Sequence, residues 1–268
     1  MKVFVSADIE GICGITDWAE ADKTHRDYLP FAERMSDHVG AVCAALWSDA
    51  RVEDVLVRDA HGSGRNIDAT LLPRPTRLIR GWSGDPMGMV EGLDRAFGAA
   101  CFVGYHARAG GCGNPLAHTW SSSTLQKVVV NGEPVSEYRL NAWAAASISV
   151  PVVLVSGDAE LCAEVSGYDD AIVTVPVIEG YGASTRSLHP DEARARLDSG
   201  VREALRRIET TRYRLEVPRL FEVALEYKDH RSAYRKSFYP GAHLVSPKVV
   251  GFETDAIYEV LRLIQFAT

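Results

Sequence analysis

Short runs of apolar residues that favour strands alternate along this chain with longer segments whose apolar residues recur every three or four positions. The first run spans 3–5, and the next segment carries four such residues on one helical face, namely Met35, Val39, Val42 and Leu46. Short apolar runs and a period of about 3.6 residues are typical of buried strands and amphipathic helices respectively. Because strands that alternate with helices build sheets covered on both faces, the pattern predicts a three-layer α/β/α fold with a mostly parallel, mixed sheet.

The same pattern predicts the remaining elements by position. We expect further strands at 55–57, 76–79, 101–103, 127–130, 152–155, 171–177, 215–217, 220–226 and 249–252. We expect further helices at 89–97, 140–148, 190–208 and 256–266. Asn131 and Gly132 favour a tight hairpin turn after the strand at 127–130, because both residue types readily adopt a positive φ.

Composition and charge narrow the class of protein. The chain has 268 residues, is 46% hydrophobic and carries a formal net charge of -7, with Lys and Arg scattered among Asp and Glu. A nucleic-acid partner usually requires a clustered basic face, so we expect none. The apolar stretch at 148–155 falls short of the ~20 residues of a membrane span, so we expect no membrane partner. Five cysteines without a CxxC pair predict reduced thiols and a cytoplasmic location.

Three of the predicted strands are each followed, within about five residues, by side chains of the types that can bind metals. Asp8 and Glu10 follow the first strand, His61 follows the second, and His106 follows the strand at 101–103. Residues two apart on an extended chain point to the same side, so both acids can face one point. Because ligands of open α/β sheets bind beyond the carboxyl ends of strands, we expect these donors to meet in one crevice.

Two further donors come soon afterwards, His118 and Glu137. Nitrogen and oxygen donors suit zinc, manganese or iron rather than a thiolate site. Taken alone, each donor also has an ordinary structural explanation, such as a helix cap, a turn or a core histidine. The repetition of a strand followed by a donor is what favours a metal site.

Several motifs along residues 1–160 carry a resemblance to a known family. In chain order they are SADIEGICGI, VLVRDAHGSG, GDPMGMVEGLD, FVGYHARAG, LAHTWSSS, VNGEPVSEYRLNA and VPVVLVSGDAE. Together they resemble the D-aminopeptidase family, peptidase family M55. The resemblance implies a zinc-dependent aminopeptidase with two ions per chain that removes an N-terminal D-residue such as D-alanine from short peptides. It also implies a ring-like homodecamer.

The resemblance assigns a role to each donor. It implies that Asp8 bridges the two zinc ions and that His118 lies beside them as the catalytic residue. The remaining metal ligands form two pairs, which are Glu10 with His61 and His106 with Glu137. Asp59, two residues before His61, is a candidate to orient a histidine ring, since ligand histidines usually pass their second N–H to an acceptor.

A soft boundary near residue 150 divides the chain into a metal-binding catalytic α/β domain, residues 1–150, and a smaller α/β portion, residues 151–268. We expect the second portion to contribute to the substrate pocket and to oligomer contacts. No linker rich in Pro, Gly or Ser separates the halves, so they are expected to pack tightly or share a sheet. Three alternatives stay open: a di-metal amidase or esterase, an aminopeptidase that prefers L residues, and a non-catalytic peptide-binding protein.

Overall fold

The computed structural model of the chain describes residues 1–209, 213 and 215–268. The strands are β1 (Lys2–Ala7), β2 (Asp54–Asp59), β3 (Arg77–Ile79), β4 (Phe97–Tyr105), β5 (Leu125–Val130), β6 (Glu133–Pro134), β7 (Val152–Asp158), β8 (Val173–Tyr181), β9 (Ser184–Ser187), β10 (Phe221–Tyr227), β11 (His243–Ser246) and β12 (Val249–Thr254). The helices are α1 (Trp18–Ala21), α2 (Leu29–Trp47), α3 (Glu137–Ser147), α4 (Ala159–Tyr168), α5 (Pro190–Arg207), α6 (His230–Lys236) and α7 (Ile257–Ala267).

The larger sheet has the strand order β3-β2-β1-β4-β7-β8-β9. Neighbouring strands are parallel except β8 and β9, which pair antiparallel. The predicted mostly parallel, mixed sheet is therefore confirmed. From β1 the chain adds strands first on one side and then, beginning with β4, on the other. This reversal of strand order opens a crevice beyond the carboxyl ends of β1 and β4, which is where α/β sheets bind ligands.

A second, smaller sheet has the strand order β11-β12-β10-β5-β6, and its neighbouring strands pair antiparallel. The predicted hairpin turn between β5 and β6 is confirmed, because Asn131 and Gly132 both have positive φ, 53° and 82°. Helices α6 and α7 contact β10 and β12 of this sheet. Strands from both sides of residue 150 pair within each sheet, since β4 pairs with β7 and β5 pairs with β10. The domain boundary at residue 150 stays a prediction.

Alternate side chains of β1 bury into opposite faces of the larger sheet. Val3 and Val5 join an apolar cluster with residues of α2 and α5, whereas Phe4 joins a cluster with residues of α3, α7 and the second sheet. Strands buried on both faces are the consequence of a sheet covered on both sides. None of the helices in the described part of the chain is long and apolar enough to cross a membrane.

Two predicted elements are wrong. The segment 89–97 is no α-helix: Gly88–Val90 forms one 3₁₀ turn, and Gly92 has a φ of 92°, which breaks any helix there. Met89, Val90 and Leu93 are nevertheless buried, so the spacing of the apolar residues indicated core packing but not a helix. The segment 215–217 pairs with no strand among the described residues. Its apolar side chains pack against the core before Pro218, which lacks the N–H that a ladder needs.

Candidate metal centre

The carboxyl ends of β1, β2 and β4 bring the first four predicted donors to one place. The backbone after β1 is tied to the end of β4, because the Asp8 amide donates to the Val103 carbonyl at 2.8 Å and Gly11 to Gly104 at 2.8 Å. A Cβ at Gly11 would lie 1.8 Å from the Tyr105 carbonyl oxygen, so only glycine permits this approach. The acidic loop therefore lies directly against the strand that carries His106.

Glu137 enters the site from the first turn of α3, whose N-cap is Ser136. Its Oε1 accepts a hydrogen bond from the backbone amide of Trp120 at 2.6 Å. Trp120 has a φ of 69°, an uncommon backbone conformation for a bulky residue. The segment that follows His118 is thus bent so that its amide faces the carboxylate, and His118 lies 3.5 Å from the same Oε1 through its Nε2.

The donors form overlapping groups, each with ligand atoms within 4.8 Å of one another. In the first group, His61 Nδ1 lies 3.3 Å from Asp8 Oδ1 and 3.0 Å from Glu10 Oε2. In the second, His106 Nε2 lies 3.7 Å from Asp8 Oδ2 and 3.6 Å from Glu137 Oε2. Asp8 is common to both and directs one oxygen into each. A third group joins Glu10, His106 and His118.

A backbone carbonyl orients each of the three histidine rings. A carbonyl only accepts, so the ring nitrogen that faces it carries a hydrogen and the other nitrogen faces the carboxylates. The three contacts are His61 Nε2 with Ala21 at 2.8 Å, His106 Nδ1 with Ala107 at 2.9 Å, and His118 Nδ1 with Leu116 at 3.0 Å. Metal-binding histidines are held in this way.

Two buried atoms in the cluster lack hydrogen-bond partners among the described residues, Glu10 Oε2 and His106 Nε2. The His61 nitrogen 3.0 Å from Glu10 Oε2 does not have hydrogen-bond geometry. Buried polar atoms nearly always have partners, so these two call for a group outside the protein. A metal cation in each of the two donor groups would satisfy both atoms, and the donor set fits zinc.

The charges of the clustered side chains also call for added positive charge. Burial, and then the Glu10 carboxylate, raise the pKa of Asp8 well above its ordinary value. Burial alone would lower the pKa of His106, but the carboxylates of Glu137, Glu10 and Asp8 together outweigh burial and raise that pKa to about 10. Burial and the neighbouring His106 lower the pKa of His118. Acids and imidazoles packed this closely must share positive charge, which protons or a metal cation supply.

The structure corrects the expectation for Asp59. Its carboxylate accepts hydrogen bonds from the Asn66 amide, the Asn66 side chain and the Ile67 amide, at 2.6, 2.6 and 2.8 Å. Asn66 in turn donates to the His61 carbonyl at 2.7 Å. Asp59 therefore holds the backbone around His61, and the Ala21 carbonyl orients the ring.

Two positioning residues were not assigned to the site from the sequence. Asp158 ends β7, as Asp8 follows β1, but its Oδ2 accepts from the Ala107 amide at 2.6 Å and from Asn114 Nδ2 at 3.2 Å. Asn114 Nδ2 also donates to the Glu10 carbonyl at 2.8 Å. Asp158 and Asn114 thereby join the loops that carry His106 and Glu10. Asp158 could have been noticed in the sequence as an acid at the end of a strand, whereas no sequence pattern distinguished Asn114.

The donors open into a cavity of about 420 Å³, which we call the acidic cavity. Asp8, Glu10 and Glu137 contribute its carboxylates. Its remaining walls include three indole rings and a thioether, from Trp18, Trp82, Trp120 and Met89. This volume and mixed lining are typical of small-molecule sites.

A mostly parallel α/β sheet with clustered nitrogen and oxygen donors at its switch point defines the class of metal-dependent α/β enzymes. Comparison with known proteins narrows the class. The model of the Peptidase M55 family, described as D-aminopeptidase, matches residues 1–266, and the chain belongs to that family.

The chain is also similar to individual proteins along nearly its whole length. It is 30% identical over 247 residues to a D-aminopeptidase of Bacillus subtilis (strain 168), covering 91% of this chain and 88% of that one. It superposes with a TM-score of 0.93 and 27% identity on the structure of the Zn-dependent D-aminopeptidase DppA from Bacillus subtilis, a self-compartmentalizing protease. That match covers 100% of this chain and 96% of the other.

Proposed function

We propose that this protein is a zinc-dependent aminopeptidase that removes the N-terminal residue, preferentially a D-amino acid such as D-alanine, from short peptides or amides. The observation that carries the proposal is the shared carboxylate of Asp8, whose two oxygens face separate donor groups. Membership of the D-aminopeptidase family and the match to a zinc-dependent relative support the reaction and the metal.

Two zinc ions would be held with Asp8 between them. Glu10 and His61 complete one set of three protein ligands, and His106 and Glu137 complete the other. Three protein ligands per ion leave positions free, which catalytic zinc sites require. When bound, the ions supply Lewis acidity, which lowers the pKa of water to about 7 and polarises the scissile carbonyl.

The protein's own groups orient the substrate and move protons. Binding of the free amine of a peptide among the donors of the acidic cavity would restrict cleavage to the N-terminal residue. His118 has its Nδ1 fixed by the Leu116 carbonyl, so Nε2 is the atom that exchanges a proton with the leaving amine. Trp18 packs edge-on to this ring with centroids 5.2 Å apart and limits its movement.

Side-by-side assays test this function. Release of nitroaniline from the anilides of D-alanine and L-alanine, with added zinc, measures the reaction and its stereochemical preference. We expect faster release from the D anilide. A faster L rate would overturn the D preference, and cleavage of esters or simple amides in place of peptides would identify one of the other di-metal hydrolases.

We also propose that the chain assembles as a ring-like homodecamer in the cytoplasm. The self-compartmentalizing relative supports an assembly. So does a group of exposed apolar side chains in the second portion, Tyr234, Phe238, Leu244 and Val245. Large exposed apolar patches mark interaction surfaces. Light scattering on the purified protein should give ten times the mass of the chain, and cell fractionation should recover the protein with other cytoplasmic enzymes.

A further inference from the structure

A second cavity, of about 330 Å³, adjoins the acidic cavity. Trp18, His118 and Ser122 line both, so these side chains form a common wall. His118 is the residue to which we assign the proton transfer to the leaving amine. A substrate whose scissile amide lies at His118 therefore has its amino end in one cavity and its leaving group beside the other.

The two cavities differ in their charged side chains. The acidic cavity carries Asp8, Glu10 and Glu137. None of the described residues that line the second cavity is acidic, and its one permanently charged side chain is Lys228, so we call it the Lys228 cavity. The C-terminal carboxylate of a dipeptide is the charge that Lys228 complements, whereas the three carboxylates of the acidic cavity are already assigned to the zinc ions.

Lys228 is held in place at both its backbone and its ammonium. Its amide donates to the Thr124 carbonyl at 2.9 Å, and Nζ donates to the Ser122 carbonyl. An ammonium has three N–H donors, so two stay available. Within the described part of the chain, Lys228 forms no ion pair. The charge is thus oriented beside the shared wall and has no anionic partner from the protein.

Part of the lining of the Lys228 cavity is made of small residues. Ala109, Gly110, Pro115 and Ala117 come from the segment between His106 and His118. Gly110 has a φ of 80°, and a Cβ there would find no atom closer than 3.8 Å. This glycine-rich segment therefore leaves room for a substrate residue next to His118.

We propose that the Lys228 cavity binds the leaving-group residue of a dipeptide-like substrate and that Lys228 Nζ donates to its C-terminal carboxylate. The inference rests on the proposed function, because the leaving group is defined by the bond cleaved beside His118. It extends that function by naming a specificity-determining residue on the carboxyl side of the scissile bond. Lys228 contributes to binding, so its removal should raise KM more than it lowers kcat.

Three substrates separate the possibilities: D-alanyl-glycine, D-alanyl-glycinamide and the nitroanilide of D-alanine. Only the first has a carboxylate. A hydrogen bond to a charged group contributes about 1.5–3 kcal/mol, so Lys228→Met should raise KM for D-alanyl-glycine about tenfold or more. KM for the amide and the anilide should stay within about twofold. Lys228→Arg should retain most of the preference, because it keeps a cation at this position.

Lys248→Met is the matched control, since Lys248 is exposed and lines neither cavity. It should leave all three KM values unchanged. Equal loss on all three substrates in Lys228→Met, or no preference of the wild type for the free carboxylate over the amide, would overturn the inference while the anilide is still cleaved. Absence of turnover on all three substrates by the wild type would instead overturn the proposed function.

Discussion

Replacing Asn114 by leucine should weaken zinc binding although Asn114 is no metal ligand. The side chain is 4% exposed. It donates to the Glu10 carbonyl at 2.8 Å and to Asp158 Oδ2 at 3.2 Å, and its Oδ1 accepts from the Leu116 amide at 2.9 Å. These contacts connect the loop that carries His118 to the loop that carries Glu10, so leucine removes the connection while roughly keeping the volume.

The magnitude follows from the groups left behind. Leucine removes the donor to the Glu10 carbonyl and the acceptor of the Leu116 amide. A buried group without a partner costs about 1–3 kcal/mol, so unfolding should require about 4 kcal/mol less for the two groups together. Loss of a residue that orients a metal ligand typically lowers metal affinity about ten- to hundredfold.

Zinc affinity is measured by competition with a chromogenic chelator, and stability by urea unfolding of the same samples at a fixed chain concentration. Asn131→Ala is the control, because Asn131 also bonds through both ends of its amide, to Leu220 and Glu222, but in a hairpin away from the donors. It should lower stability without changing zinc affinity. Zinc affinity of Asn114→Leu within about twofold of the wild type would refute the positioning role.

Two further predictions concern histidines. His118→Ala should keep both zinc ions and lose most of kcat; loss of metal, measured by plasma emission, would make His118 a ligand of the third donor group. Burial, then Arg34 and Arg194, lower the pKa of His38 to about 4, from 6.5. Between pH 6.5 and pH 4 the imidazole is therefore protonated in the unfolded chain but neutral in the folded chain. The free energy of unfolding is unaffected above pH 6.5 and decreases as the pH falls towards 4. Urea unfolding should show the wild type losing about 3 kcal/mol relative to His38→Gln between pH 7 and pH 4; parallel pH profiles would contradict this.

The sequence predicted which donors converge better than it predicted the contacts that hold them together. Asp8, Glu10, His61 and His106 could be found because parallel strands end at one edge of a sheet, and donor residues after several strands are unusual. Asn114 and the Ala21 carbonyl could not be found, because they act through main-chain contacts between residues far apart in sequence. The prediction that Asp59 orients a histidine ring was wrong, because the sequence shows an acid near His61 but does not show that its partners are two backbone amides and the Asn66 side chain.

The prediction of a helix at 89–97 was wrong because the sequence pattern does not show the backbone conformation. Its apolar residues do bury, but Gly92 lies in the left-handed region at a φ of 92°, and a period in the apolar residues does not report the backbone conformation between them. The strands predicted at 3–5, 55–57 and 101–103 were correct, because each of these apolar runs is the mostly buried centre of a longer strand, β1, β2 or β4.

The central claim is that Asp8 is shared between two metal ions. Metal analysis of the wild type and of Asp8→Ala, both purified with saturating zinc and then dialysed, tests it most directly. The wild type should retain two zinc ions per chain, and Asp8→Ala should retain none, because the substitution removes a ligand from both donor groups at once. Less than one metal per chain in the wild type, or an Asp8→Ala protein that still holds two, would contradict the account.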